Sequence, residues 1–305
     1  MENDPDIEIV HVPILTEEIL ENLKIDKGSN VIDATADGGG HTIAILNKIG
    51  TSGKLISIEQ DKEMVHYLKE RLEKEGLDSR AKIVLSNYKR IDEIVAEEKI
   101  ETVDAVLFDL GMSNYHVKYS DRGFTFRENQ PLDMRYSSQT ELSAMDVVNK
   151  FSQKDIEEIL ANYGEEKFAG KIAEGIVKER AEDEILTTGH LVAVIERWVP
   201  PFYRHRKISC ATKTFQALRI FVNDEFGNIR EGLEKAYRVL RVGGRMGAIS
   251  FHSLEDKIVK EFGRDKQKDG LIQILTKKAI KPAWTEIKQN KRSRSAKLRI
   301  FEKTK

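Results

Sequence analysis

The stretch Val31-Ile-Asp-Ala-Thr-Ala-Asp-Gly-Gly-Gly-His-Thr42 decides the fold class of this chain. It reads as a short buried strand, a turn with three consecutive glycines, and the start of an apolar-periodic helix. Glycine tolerates a positive φ and lets a ligand approach the backbone, while a helix start offers unpaired N–H groups. The next strand, Lys54–Glu59, ends on an acid, where nucleotide-binding α/β folds hold ribose hydroxyls. The combination predicts a nucleoside cofactor.

The residues of this turn favour a methyl donor over a dinucleotide. The dinucleotide fingerprint G-x-G-x-x-G needs a third glycine for close packing, and Ile43 stands at that position here. Asp37 would lie near a pyrophosphate and repel it, but it suits a cationic ligand. S-adenosyl-L-methionine carries a sulfonium and an ammonium group and has no phosphate, so it is the predicted cofactor.

Length and composition bound the class of protein. The chain has 305 residues, of which 40% are hydrophobic and 33% charged, and this predicts a soluble protein with two domains or one large domain carrying an insertion. It contains neither an apolar run of about 18 residues nor the basic-then-apolar order of a secretion signal. Cys210 is the only cysteine, which favours a cytoplasmic protein. The histidines lack metal-binding spacing, so no metal is predicted.

The net charge of −1 hides a strong asymmetry along the chain. Residues 1–26 carry eight acids and one Lys, whereas residues 276–305 carry eleven Lys or Arg against two Glu. A second run, Arg197–Arg219, has six Lys or Arg, no acid, and interleaved aromatics at Trp198, Phe202 and Tyr203. Basic residues mixed with aromatics indicate RNA binding. The alternative is a solvated basic face.

Alternating strands and helices predict a mostly parallel sheet with helices on both faces. The strand candidates are Asn30–Ala34, Lys54–Glu59, Ala81–Leu85, Val103–Asp109, Arg245–Phe251 and Lys297–Glu302. A helix over Asp61–Glu75 is expected to end at Gly76.

The alternation breaks after Gly111. Three helices are predicted there, at Gln153–Leu160, Glu165–Arg180 and Gly189–Trp198, and a long helical region follows at Phe215–Leu240. The sequence therefore predicts an α/β fold whose sheet domain comprises residues 1–111 and 213–305, with an inserted helical domain at 112–212.

Two further segments are candidates for chemistry. Val103–Gly111 is a buried strand ending in Asp109, which would face the same crevice as the glycine turn, because ligands bind beyond the carboxyl ends of strands. A loop around Arg122, Phe124 and Arg135 could stack a base and hold phosphates. It could equally be a packed connection, with Phe124 and Phe126 as core anchors and Asp133–Arg135 as an ion pair.

A helix start is predicted after the strand Arg245–Phe251. Ser253 is a plausible N-cap there, with Asp256 at N3 closing a capping-box-like pair.

Taken together, the motifs carry a family resemblance. The chain resembles the bacterial ribosomal small-subunit RNA (cytosine-N4)-methyltransferases, historically called MraW. The matching segments run nearly end to end: His11–Leu15, Asp33–His41, Asp109–Gly111, Arg122–Phe124, Pro131–Arg135, Tyr163–Glu166, Thr214–Ile220, Ser250–Asp256 and Arg294–Arg299.

The resemblance implies a class I, Rossmann-like methyltransferase sheet with an inserted helical domain. It implies transfer of methyl from S-adenosyl-L-methionine to the exocyclic N4 amine of a cytosine in the decoding region of small-subunit (16S) rRNA. The partner would be 16S rRNA or the small ribosomal subunit, and a homodimer is left open. The implied cofactor contacts are Gly39, Gly40, His41, Glu59, Tyr88, Asp109 and His116.

Several positions depart from the family pattern. Asp37 stands where the family usually has Gly or another neutral or basic residue. Glu59 stands where the family usually has Asp. Met112–His116 replaces a Val-Ser-Ser-Pro-Gln type loop, so His116 stands where Gln is expected, and Asn290–Arg294 replaces an Asn-Pro-Arg-Ala-Arg type run. The loop change flanks the expected place of the target amine.

A mechanism follows from the chemistry of the amine. Its lone pair is delocalised into the ring, so the enzyme must align it with the methyl group and supply an acceptor for its N–H. Asp109 is the first candidate acceptor, and backbone carbonyls of Gly111–Asn114 are the second. The expected RNA contacts are Arg122, Phe124, Arg135, Lys291, Arg292 and Arg294.

Two rival functions are kept. One is a non-catalytic RNA-binding or ribosome-assembly protein on a degenerate methyltransferase fold, which the altered loop at 112–116 motivates. The other is a methyltransferase for a small molecule or a protein, which would not need the two basic runs.

Overall fold

A computed structural model describes residues 13–305, so His11 of the first matching segment and the acids before Pro13 lie outside the described part. The chain forms two compact units. The first extends to Ser113 and resumes at Phe226, and the second comprises Asn114–Glu225.

Seven strands and fourteen helices make up the described chain. The strands are β1 (Asn30–Asp33), β2 (Lys54–Glu59), β3 (Ala81–Leu85), β4 (Val103–Asp109), β5 (Leu240–Ser250), β6 (Ile272–Ile274) and β7 (Lys297–Lys303). The helices are α1 (Thr16–Asn22), α2 (Gly40–Ile49), α3 (Lys62–Lys74), α4 (Ile91–Glu97), α5 (Asn114–Lys118), α6 (Ala144–Lys150), α7 (Gln153–Gly164), α8 (Ala169–Arg180), α9 (Thr188–Trp198), α10 (Pro201–Arg204), α11 (Thr212–Val222), α12 (Glu225–Val239), α13 (Ser253–Lys268) and α14 (Trp284–Gln289). Short 3-10 turns occur at Asp78–Arg80, Tyr88–Arg90 and Lys291–Ser295.

All seven strands form one sheet in the order β3-β2-β1-β4-β5-β7-β6. The first five run parallel, and β7 lies antiparallel between β5 and β6. Apolar side chains of Leu46, Leu68, Leu107 and Ile300 belong to one buried cluster that joins helices α2 and α3 to the sheet. The mixed α/β sheet predicted from the sequence is confirmed.

Strand positions agree closely with the prediction, with two differences. β5 begins at Leu240 rather than Arg245, because Leu240 already pairs with Val103 on β4, and the residues up to Arg245, with Gly243 at φ +77°, form an irregularity within the strand. β6 was missed, since three residues are too few for a period to be visible. The predicted helix after β2 is confirmed as α3, which is capped by Asp61 and followed by Gly76 with φ +66°.

The second unit is helical, as expected, but its boundaries differ from the prediction. α8 begins at Ala169 because Glu165 takes φ +50° and ends α7. The long region Phe215–Leu240 is divided at Asn223–Asp224, where Asp224 has φ +45°. Helix α11 packs against α7, so this unit continues to Glu225 rather than to 212. The division into catalytic and substrate domains stays a prediction.

The start of α13 corrects the predicted cap. His252, not Ser253, is the N-cap, and Glu255, not Asp256, closes the capping box. The Glu255 carboxylate accepts from the backbone N of Phe251 at 2.7 Å. Asp256 instead accepts from Lys297 and Arg299 on β7, at 3.2 and 2.7 Å.

Candidate active site

Six of the predicted cofactor residues lie at one edge of the sheet. β3, β2, β1 and β4 are adjacent and parallel, so their carboxyl ends meet at that edge. These residues follow or end the strands: Gly39, Gly40 and His41 after β1, Glu59 on β2, Tyr88 after β3 and Asp109 on β4. The strand order reverses between β1 and β4, and such switch points are where open α/β sheets bind ligands.

The glycine turn needs its glycines for space and for backbone conformation. Gly39 has φ +80° and caps α2. A Cβ at this position would lie 2.5 Å from Cδ1 of Leu68. The carbonyl of Gly38 accepts a hydrogen bond from the Arg71 guanidinium. The turn is therefore held from behind by α3, which leaves its other side to a ligand.

Glu59 anchors the glycine turn to the end of β2. Its Oε2 accepts from the backbone N of Asp37 at 2.9 Å, and its Oε1 accepts from the backbone N of Gln60 and of Asp61 at 2.7 and 2.8 Å. A carboxylate offers about four acceptor positions, so one remains for a ligand hydroxyl. Burial, with the nearby Asp37 carboxylate, raises the pKa of Glu59 to about 8.

Asp33 is a buried part of the site that the sequence reasoning missed as a functional residue. Its Oδ2 accepts from the Thr42 hydroxyl at 2.7 Å, which ties the end of β1 to the first turn of α2. Burial raises the pKa of Asp33, against the lowering effect of His41 and Thr42. An acid inside a buried strand, followed nine residues later by a threonine at a helix start, is the signal that could have found it.

His41 and Asp109 face each other across the switch point. Nε2 of His41 lies 3.5 Å from Oδ2 of Asp109, and the two side chains are 6% and 12% exposed. The backbone N of Asp109 donates to the Thr35 hydroxyl at 2.7 Å, which fixes the residue's position. Within residues 13–305, the buried Oδ1 of Asp109 has no hydrogen-bond partner. It is thus an acceptor with unused capacity.

Electrostatics couple this pair to Asp33. Burial by itself lowers the pKa of His41, but contact with Asp109 and the charges of Asp33 and Asp37 outweigh it, so the pKa is raised.

The predicted residues of the second unit lie in its interior. His116, Phe124 and Tyr136 are 5%, 8% and 5% exposed, and the Phe124 and Tyr136 rings stack with centroids 5.1 Å apart. The Arg122 guanidinium donates to the carbonyls of Arg135 and Tyr136, each at 3.1 Å. These contacts are those of the packed-connection alternative.

The contacts of Arg135 also match a packed connection. It forms an ion pair with Asp133 at 2.8 Å, and this pairing lowers the pKa of Asp133 despite partial burial. Roles for His116, Arg122, Phe124 and Arg135 in ligand binding stay predictions.

The C-terminal basic run consists of two parts. Lys297 and Arg299 pair with Asp256, and the Lys303 ammonium donates to the carbonyls of Tyr237 and Leu240 at 2.9 and 2.7 Å. The earlier cations are all exposed: Lys277, Lys278, Lys281, Lys288, Lys291, Arg292 and Arg294. This earlier part therefore presents seven exposed cations to solvent, and Lys305 at the end of the run is exposed as well.

Two arginines of the run Arg197–Arg219 also form ion pairs within the protein. Arg197 pairs with Glu179, and Arg219 pairs with Glu225 at 2.8 Å. Phe202 is 71% exposed.

Comparison with known proteins decides the family. A model of the MraW methylase family matches residues 8–304. This chain belongs to the MraW methylase family. A relative from Sulfurihydrogenibium sp. (strain YO3AOP1), called ribosomal RNA small subunit methyltransferase H, is 43% identical over 96% of this chain and 98% of its own length. Proteins of the same name from Dictyoglomus turgidum and Persephonella marina are 40% and 42% identical, over 98% and 97% of this chain and 99% of their own lengths.

Membership confirms the predicted family, the class I methyltransferase fold and S-adenosyl-L-methionine as the cofactor. This methylase is therefore an enzyme of methyl transfer, and the edge that carries Gly39, Glu59 and Asp109 is its candidate active site. Among residues 13–305, no helix is long and apolar enough to cross a membrane.

Proposed function

We propose that this methylase transfers methyl from S-adenosyl-L-methionine to the exocyclic N4 amine of a cytosine in the decoding region of small-subunit (16S) rRNA. The observation that carries the proposal is the buried Oδ1 of Asp109 at the switch point of the sheet, which has no hydrogen-bond partner among the described residues. Relatives named ribosomal RNA small subunit methyltransferase H, about 40% identical over nearly the whole chain, support the rRNA substrate. A cytoplasmic location belongs to the same proposal.

The residues present fit this cofactor. Asp109 keeps a buried oxygen that has no hydrogen-bond partner among residues 13–305, and Glu59 keeps one acceptor position for a ribose hydroxyl. Asp37, Glu59 and Asp109 place acids around a cofactor whose sulfonium and ammonium groups are cationic. We assign cofactor contacts to Gly39, Gly40, His41, Glu59, Tyr88 and Asp109, and the contact that the family resemblance implies for His116 stays a prediction.

Asp109 performs the protein's part of the chemistry. The bound cofactor supplies an electrophilic methyl group on sulfur. Asp109 Oδ1 accepts a hydrogen bond from the cytosine amine, which orients the nitrogen lone pair toward that methyl group. Asp109 would take the proton that the amine loses on methylation and would pass it to solvent. His41 lies against Oδ2 of the same carboxylate, which leaves Oδ1 for the substrate.

RNA binding would come chiefly from exposed cations. Lys291, Arg292 and Arg294 are exposed in unit one, whereas Arg122 and Arg135 use donors inside unit two. We assign phosphate contacts to the exposed set. Arg122, Phe124 and Arg135 then act by holding their loop in shape.

A labelling experiment tests the function. Purified protein is incubated with small-subunit rRNA, or with assembled small subunits, and S-adenosyl-L-methionine carrying a deuterated methyl group. The RNA is then digested to nucleosides for mass spectrometry. The proposal predicts label in N4-methylcytidine. Label in another nucleoside contradicts the proposed target, and RNA binding without any label favours the non-catalytic rival.

A further inference from the structure

The segment Lys277–Ser295, called here the C-terminal basic segment, leads into strand β7 and is tied to the rest of its unit by several contacts. Ile280 and Leu298 exchange backbone hydrogen bonds of 2.9 Å at its base. Oε1 of Glu286 accepts from the backbone N of Leu15 at 2.9 Å, and Ser293 is fully buried. Glu286 is the only acid in the segment, so its one negative charge is already used for structure.

An exposed aromatic stands in the middle of this segment. Trp284 opens helix α14 and is 72% exposed, more than any other large apolar side chain of the described residues. The Lys288 ammonium lies 5.6 Å from the centre of its ring. A flat, exposed ring flanked by cations is an arrangement with which proteins stack nucleobases.

Strand register places the segment at the active-site edge of the sheet. Asp109 pairs with Ile249 on β5, and Ile249 pairs with Leu298 on β7. Two strand spacings therefore separate Asp109 from Leu298, or about 10 Å. The C-terminal basic segment leads into this end of β7, so it joins the sheet at the edge that carries Asp109.

We propose that Trp284 is a stacking platform for one unpaired base of the RNA substrate, with the flanking phosphates bound by the exposed cations of the same segment. The inference rests on the proposed rRNA methylation and assigns part of the substrate site to it. Charge selects the partner, because seven exposed cations and no free acid suit a polyanion. A base in the stack also helps to keep the neighbouring RNA single-stranded, as methylation of an exocyclic amine requires.

Fluorescence and affinity measurements on the full chain test the platform. The probes are a ten-nucleotide oligocytidylate and an abasic oligomer of equal length, which carries the same phosphates without bases. The variants are Trp284→Ala and, as the matched control that keeps a ring, Trp284→Phe. Loss of stacking should weaken oligocytidylate binding roughly tenfold in Trp284→Ala, with much less effect in Trp284→Phe. Binding of the abasic oligomer should be equal in all three proteins.

Two further readouts make the outcome decisive. Oligocytidylate should quench the part of the emission that Trp284→Phe lacks, and the salt dependence of binding should be the same in Trp284→Ala and wild type, because no charge is removed. Equal oligocytidylate affinity in wild type and Trp284→Ala overturns the platform. So does a response to vesicles of anionic phospholipid but not to oligocytidylate, or a Trp284 emission that iodide cannot reach in the free protein.

The same proteins separate this proposal from the proposed function. If wild type methylates rRNA but Trp284→Ala binds oligocytidylate equally well, only the platform is wrong. If wild type transfers no methyl group to rRNA, the proposed function is wrong whatever the stacking result.

Discussion

Nε2 of His41 lies 3.5 Å from Oδ2 of Asp109, and both side chains are almost fully buried. His41 comes from the first turn of α2 after β1, and Asp109 ends β4, so the contact spans the point where the strand order reverses. One carboxylate oxygen of Asp109 thus faces a histidine whose pKa is raised, while the other has no hydrogen-bond partner within residues 13–305. We therefore expect Oδ2 to stay against His41 while Oδ1 accepts a hydrogen bond from the substrate.

Replacement of Asp109 by Asn should separate chemistry from cofactor binding. The variant keeps the shape of the side chain but cannot take the amine proton, so turnover should fall by about 100-fold or more. Cofactor affinity, measured by calorimetry, should change much less. Full activity in Asp109→Asn would move the acceptor role to the backbone carbonyls of Gly111–Asn114.

The cofactor-free protein should lose stability as pH rises from about 5 to 8. The pKa of Glu59 is raised to about 8 in the folded state, and the pKa values of Asp33 and His41 are raised as well. The folded protein therefore holds protons that the unfolded chain releases. Between its unfolded and folded pKa values, each such group lowers the free energy of unfolding by up to about 1.4 kcal/mol per pH unit.

Denaturant unfolding at several pH values measures this loss. Glu59→Gln removes a titrating group and should flatten the profile between about pH 5 and 8. A stability that rises with pH over this range, or an unchanged profile in the variant, would contradict the prediction.

Cofactor binding should be linked to the charge of Glu59. A ribose hydroxyl donates to the carboxylate, and a cationic ligand offsets its repulsion with Asp37, so binding favours the charged form and should release protons near pH 7. Calorimetry in two buffers of different ionisation enthalpy detects this release. Glu59→Ala should bind the cofactor roughly 10–100-fold more weakly. Unchanged affinity in a folded variant would remove Glu59 from the site.

RNA affinity should depend steeply on salt through the exposed cations. Replacing Lys291, Arg292 and Arg294 together by Ala should flatten the log–log salt slope by about two to three units for structured RNA. Cofactor affinity should survive. The matched control replaces three exposed lysines of helices α3 and α13, namely Lys69, Lys74 and Lys268, and should leave the slope unchanged. An unaltered slope in the first variant, with normal methylation, would support the solvated-face alternative.

The sequence predicted the sheet and the edge that carries the site, because buried strands and the acids that end them are local patterns. Glu59 and Asp109 could be placed at that edge from their strand-end positions alone. The sequence could not predict that Glu59 also binds the glycine turn. Its hydrogen bond from the Asp37 backbone depends on the turn conformation, in which Asp37 has φ +46°. Local pattern likewise cannot tell a ring that stacks on RNA from one that stacks on a neighbour.

Phe124 and Trp284 illustrate this last point. Phe124 stands beside arginines in the sequence yet is buried against Tyr136, whereas Trp284, for which the sequence predicted no role, is exposed. The break between α11 and α12 could not be predicted from the local pattern either, because it depends on contacts distant in the chain. It is fixed by Asn223, whose side chain bonds the backbone of Met134 and Tyr136, 89 and 87 residues away in the chain.

The most direct test of the central claim uses cells that lack this gene and carry it back as wild type or as Asp109→Asn. Small-subunit rRNA from each strain is digested, and its modified nucleosides are measured by mass spectrometry. The account predicts that a cytosine methylated at N4 is lost in the deletion strain, returns with wild type and stays absent or sharply reduced with Asp109→Asn. An unchanged level of that nucleoside in the deletion strain, or its full return with Asp109→Asn, would contradict the account.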